Sequence, residues 1–163
     1  MKRIFFIKEG RKMCRNNIFD IAKFFLSKND PNMTHKKLQK LCYYAYAWNL
    51  ALKGEKLFKE RFQAWVHGPV SPQLYKKYRE HGWQTIPPDD APLLQNDVIE
   101  VLETVYETYG EFTGDELESL THSELPWIEA RGGLPEYEPS TTYLNDQTII
   151  NYYKNLYEQG QND

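Results

Sequence analysis

The sequence predicts a mainly α-helical domain: about six or seven helices packed compactly around a central aromatic helix, with one small β-hairpin. Three observations carry this. Apolar residues recur at three-and-four spacing through most of the chain; one segment, Leu41 to Leu52, is apolar on almost every side; and only between Gly54 and Gly68 does the period shorten.

The first helix begins at Asn17, where Ile18, Ile21, Ala22, Phe25 and Leu26 share one face, and it stops at Lys28-Asn29-Asp30-Pro31. Thr34 is placed to cap the second, whose inward face is Leu38, Leu41, Cys42, Ala45, Trp48 and Leu52, with Gly54 closing it. Tyr43, Tyr44, Tyr46 and Ala47 add apolar surface on the remaining sides, as a helix surrounded by others requires. Leu57, Phe58, Phe62, Ala64 and Val66 then suggest a hairpin or two short strands. Gly68-Pro69-Val70-Ser71-Pro72 reads as a turn, with Gly68 in a backbone conformation closed to other residues.

Ser71 and Pro72 open a third helix carrying Leu74, Tyr75 and Tyr78 to a stop at Gly82. After a proline-rich loop over 86–92, Val98, Val101, Leu102, Val105, Tyr106 and Tyr109 form an inward face that ends at Gly110. Thr113 with Glu116 is a capping box for the next helix. Ser123 is expected to cap a short helix holding Trp127 and Ile128, ended by Gly132-Gly133, and a last helix carries Ile149, Ile150, Tyr153 and Leu156. The expected divisions are an N-terminal extension over 1–16, one domain over 17–157 and a C-terminal tail over 158–163.

At 163 residues, 40% hydrophobic and 26% charged, with a mean hydropathy of −0.72, the chain has enough core for one soluble domain. Cys14 and Cys42 form no C-x-x-C pair, so free thiols and a reducing, cytoplasmic location are expected. No apolar run approaches the roughly 20 residues that a bilayer needs, so no membrane partner is expected. The net charge of −3 conceals opposite halves. Residues 1–81 hold 18 basic and 6 acidic side chains, a net +12, and residues 82–163 hold 2 and 17, a net −15. Such halves either neutralise each other within the fold or offer a basic footprint to an acidic partner or a nucleic acid.

Catalytic chemistry finds little support. His35, His67, His81 and His122 lie in different elements without H-x-x-x-H spacing, so no metal is expected. His122-Ser123-Glu124 lacks a nucleophile elbow, and no glycine-rich phosphate loop exists, so neither enzyme nor cofactor is expected. The basic residues from His35 to Lys40 and from Lys76 to Arg79 are candidates for a contact patch. Lys36, Lys37, Lys40, Tyr44, Tyr75 and Arg79 are selected as partner-binding residues, because complementary charge speeds encounter and aromatic anchors hold the partner.

The order of motifs resembles a known family. Met33-Thr34-His35-Lys36-Lys37-Leu38-Gln39-Lys40-Leu41-Cys42-Tyr43-Tyr44-Ala45 comes first, then Gly54-Glu55-Lys56-Leu57-Phe58, Phe62-Gln63-Ala64-Trp65-Val66-His67-Gly68-Pro69-Val70 and Leu74-Tyr75. Leu117 to Trp127, which includes His122, and Tyr152-Tyr153 complete the pattern. Together they resemble the Panacea (SocA-like) antitoxin domain, often found in phage-associated proteins and prophages. The resemblance implies a helical domain with a small β element that neutralises a cognate toxin protein of a toxin-antitoxin system by direct binding. It also implies a protease partner if the protein acts as an adaptor. Leu38, Leu41, Tyr43, Trp65, Gly68, Pro69, Val70, His122 and Trp127 are read as the structural part of the motif, with Trp65 and Trp127 able to border a binding surface. A nucleic-acid-binding phage or mobile-element regulator is the alternative.

Overall fold

A computed structural model of the chain describes residue 14 and residues 16–162. Residues 1–13 and 15, most of the expected N-terminal extension, lie outside the described residues. The helices are α1 (Ile18–Leu26), α2 (His35–Lys53), α3 (Pro72–Tyr78), α4 (Asn96–Tyr109), α5 (Gly114–His122), α6 (Leu125–Arg131) and α7 (Asp146–Asn162). Strands β1 (Gln63–Trp65) and β2 (Gly68–Val70) form an antiparallel hairpin. The fold is mainly α, as expected. The last helix continues through 158–162 where a tail was expected.

Local chemistry starts the helices. Asn17 and Asp20 exchange side-chain-to-backbone hydrogen bonds at the head of α1, and Glu60 accepts from the Ile18 N–H, filling another of the donors a helix start leaves open. Thr34 caps α2, Ser71 caps α3, and Thr113 with Glu116 forms the capping box of α5. Gly54 and Gly132 end α2 and α6 in left-handed conformations. Ser123 departs from expectation. Its hydroxyl donates to the Leu120 carbonyl at 2.7 Å, so it finishes α5, and Glu124 takes the N-cap position of α6.

Helix α2 is the axis of the core. It packs against α7, α5, α4 and α1, and against β2, and 15 of its 19 residues are buried. Leu38, Leu41, Cys42, Tyr43, Ala45 and Ala47 are all at most 1% exposed. Burial pushes the Cys42 thiol pKa up. Leu52 was expected inward but is half exposed, because it lines a surface groove with Val101, Val105 and Tyr157.

Gly68-Pro69-Val70 is a correction to the sequence reading: it is the second strand, and the turn is Val66-His67. The strand is too short for a visible period, and its glycine and proline resemble a turn. Among the described residues β2 borders only β1, so Pro69, which has no N–H, removes no ladder bond. On the far side of β1, the Ala64 N–H donates to Thr142 O and the Leu144 N–H donates to Phe62 O, which extends the sheet by an isolated bridge.

Gly68 keeps its expected special backbone, with φ +99. A Cβ there would lie 2.6 Å from Lys40 Cε and 2.8 Å from Thr121 Oγ1, so the hairpin rests directly on α2 and α5. Backbone strain of about 1–3 kcal/mol and this collision act together. Gly68→Val should lower the melting temperature by several degrees in a thermal scan, whereas an unchanged value would show the seam to be loose.

Arg131 anchors the long loop before α7. Its guanidinium is 3% exposed and donates to the carbonyls of Ala64, Pro135 and Glu138 at 3.0, 2.6 and 2.6 Å while lying over the Trp127 ring. Arg131→Met should cost about 3 kcal/mol, since four carbonyls, the fourth that of Glu136 at 3.3 Å, lose a charged donor, and urea denaturation would show it.

Candidate functional site

A groove of about 340 Å³ lies between the N-terminal half of α2, the hairpin, α3 and the loop beyond it. Helix α2 contributes one face to it: His35, Lys36, Gln39 and Lys40 stand at one- and four-residue spacings on the same side. Gln39 holds the hairpin's exit in place. Its Oε1 accepts from the Ser71 N–H at 2.9 Å and its Nε2 donates to the Ser71 carbonyl at 3.2 Å, so one amide side chain pairs with both polar groups of that residue.

The walls are aromatic. His35 stacks on Tyr75 with ring centroids 5.2 Å apart, Tyr75 meets Trp65 edge-on at 4.9 Å, and His67 meets Trp83 at 5.7 Å. Burial drives the His35 imidazole down to about 4, so the ring is neutral near pH 7 and accepts from Gln39. Trp83 is 70% exposed, which makes it the most open of the aromatic walls.

The cations here differ in what answers them. Lys36 Nζ bonds Asp115 at 2.8 Å and Glu118 at 2.6 Å and lies 5.1 Å above the Trp83 ring. Burial opposes its charge, but the two carboxylates outweigh burial and hold the amine above its ordinary range. Lys40 is buried at the base of the groove, and its Nζ donates to the Pro69 carbonyl at 3.1 Å. Burial pushes this amine down to about 7, with the Glu118 charge pulling the other way. Arg79 stands at the rim, exposed, and its guanidinium meets no acidic partner among the described residues.

The structure divides the six selected contact residues. Lys36, Lys40, Tyr75 and Arg79 line the groove together. Tyr75 is 39% exposed there. Lys37, Lys40 and Tyr44 are at most 2% exposed and cannot form an outer contact patch. Lys37 turns about 100° away from Lys36 to pair with Asp30, and the Tyr44 hydroxyl donates to Glu124 inside the core. Trp83 escaped the sequence reading. Its signal was a tryptophan in a polar loop beside Gly82, which has φ +57.

The residues read as structural are mostly core. Leu38, Leu41, Tyr43, Gly68, Pro69, Val70 and Trp127 are buried. Trp65 is half-buried in the groove wall. His122 stacks on Trp127 at 4.0 Å. Among the described residues no cluster of three or more His, Cys, Asp or Glu side chains is placed to hold a metal, and no helix is long and apolar enough to cross a membrane.

The opposite halves meet inside the fold. Lys28 pairs with Glu103, Lys36 with Asp115 and Glu118, Lys56 with Asp146, and His67 lies against Glu118. Among the described residues, three of the eighteen basic side chains of the first half are thus answered by carboxylates of the second. A second, more polar groove adjoins the first, lined by Asn32, Thr34, Thr85, Thr113 and Asp115, and the two meet at Lys36 and Trp83.

Residues 38–128 match the family described as antitoxin SocA-like, Panacea domain. The chain belongs to this family. The matched span runs from α2 to α6 and contains every lining residue of the first groove from Gln39 to Trp83. The Antitoxin SocA of Caulobacter vibrioides (strain NA1000 / CB15N) is 30% identical over 117 residues. That stretch covers 60% of this chain and 60% of the relative's length. No solved structure matches.

Proposed function

We propose that this Panacea-domain protein is the antitoxin of a toxin-antitoxin pair and neutralises a cognate toxin by direct protein binding. Its place in an antitoxin family carries the reading. The groove supports it physically: open aromatic walls beside a guanidinium that meets no carboxylate among the described residues are the usual makings of a binding hot spot. The binding role needs neither a cofactor nor a catalytic group. A protease becomes a second partner if the protein also acts as an adaptor, in which case the toxin's half-life shortens when the two are co-expressed.

Co-expression with the product of the neighbouring gene is the test. That product alone should arrest growth, and growth should return when this chain is present. A toxin that stays active beside folded chain overturns the reading. The nucleic-acid alternative rests on the exposed Lys76, Lys77 and Arg79. It requires oligonucleotide binding that weakens steeply with salt.

A further inference from the structure

We propose that the groove takes an extended acidic segment of a protein partner, with a carboxylate side chain against Arg79 and an apolar or aromatic side chain between Tyr75, Trp65 and Trp83. The toxin-antitoxin reading supplies the partner's identity, but the chemistry of the occupant rests on the groove itself. Lys36 is already answered by Asp115 and Glu118, and the groove wall contains no acidic side chain. Arg79 therefore projects a charge that no acidic side chain among the described residues answers, beside an aromatic slot with the Lys40 amine at its base. A guanidinium binds a planar carboxylate through two parallel hydrogen bonds.

The adjoining groove favours a peptide over a nucleic-acid strand. Its neutral donors and acceptors, Asn32, Thr34, Thr85 and Thr113, suit the amides of an extended backbone. Its charged edge is Asp115, whose side chain is 89% exposed. A phosphate chain laid through both grooves would carry negative charge past that carboxylate. A peptide needs its carboxylate only at the Arg79 end and can place a neutral or basic residue beside Asp115.

A displayed library of random peptides of about twelve residues, panned on the full chain, tests this. The selected peptides should carry Asp or Glu next to an aromatic or aliphatic residue. In fluorescence polarisation, a selected peptide should lose about tenfold or more in affinity for Arg79→Glu and for Trp83→Ala, both exposed changes that should leave the melting temperature unchanged. The proposal is overturned if nothing is selected, if selected peptides bind the Arg79→Glu variant as well as the parent, or if Leu52→Asp in the opposite groove abolishes their binding instead. It is equally overturned if a single-stranded oligoribonucleotide binds more tightly than the peptides in an Arg79-dependent manner. Growth rescue without peptide binding would sink the groove chemistry and leave the antitoxin reading standing; peptide binding without rescue would do the reverse.

Discussion

Replacing Lys37 with methionine should cost about 3–5 kcal/mol, and replacing it with glutamate should leave no folded protein. The Lys37 side chain is 2% exposed and that of Asp30 is 8%. The ammonium donates to Asp30 Oδ2 at 2.6 Å and to the Gly110 carbonyl at 2.5 Å, while the Tyr106 hydroxyl donates to the same carboxylate. These bonds tie the loop before α2 to the end of α4. Removing the amine strands a carboxylate and a carbonyl away from water, and that desolvation, more than the lost attraction, sets the cost. Urea denaturation of Lys37→Met, with Lys37→Met/Asp30→Leu as the companion, checks the mechanism: the double variant should recover much of the loss. Charge reversal at Lys37 would therefore act by unfolding the chain, although its neighbour Lys36 does line the groove.

The second large effect is a pH dependence centred on Glu124. Its carboxyl is 4% exposed and accepts hydrogen bonds from Tyr44 at 2.9 Å and Tyr153 at 2.7 Å, and the Tyr43 and Tyr153 hydroxyls lie 3.1 Å apart. Burial raises its pKa from 4.5 to about 7, although the two tyrosine hydroxyls pull it back. A folded value above the unfolded one means that the folded chain binds this proton more tightly. Glu124 therefore contributes full stability below pH 4.5, and loses about 3 kcal/mol of it as pH rises through 7. His35 works the other way, because burial lowers its pKa from 6.5 to about 4 and stability falls as pH drops through that window. The two oppose each other in the native chain, so the difference between native and Glu124→Gln stability is the informative quantity. That difference should fall by about 3 kcal/mol between pH 4 and pH 8, whereas a constant difference would show Glu124 titrating normally.

Much of the fold was legible because the signals are local. The capping box of Thr113 and Glu116, the apolar face of α1 and the all-round apolarity of α2 each depend on residues within a few positions of one another. The misreadings arose where distant elements decide the outcome. Lys37 and Lys40 read as partner-binding residues, since nothing near them shows that Asp30, Gly110 and Pro69 will close around their amines. Gly68 was recognised as conformationally special from its neighbours, but its role as a strand resting on Lys40 and Thr121 depends on the packing of α2 and α5. The groove was half legible: Tyr75 and Arg79 stood out by charge and aromaticity. Trp83, Trp65 and His67 join them only when the hairpin folds onto α2.

Hydrogen exchange of the full chain, alone and saturated with the proposed toxin partner, tests most directly whether this groove is where that partner binds. New protection is expected in backbone amides of the α2 N-terminus, the hairpin and residues 75–85, where the groove lies. Protection confined to the opposite groove, between Trp48 to Lys53 and α4, with no change around Arg79 and Trp83, would contradict it.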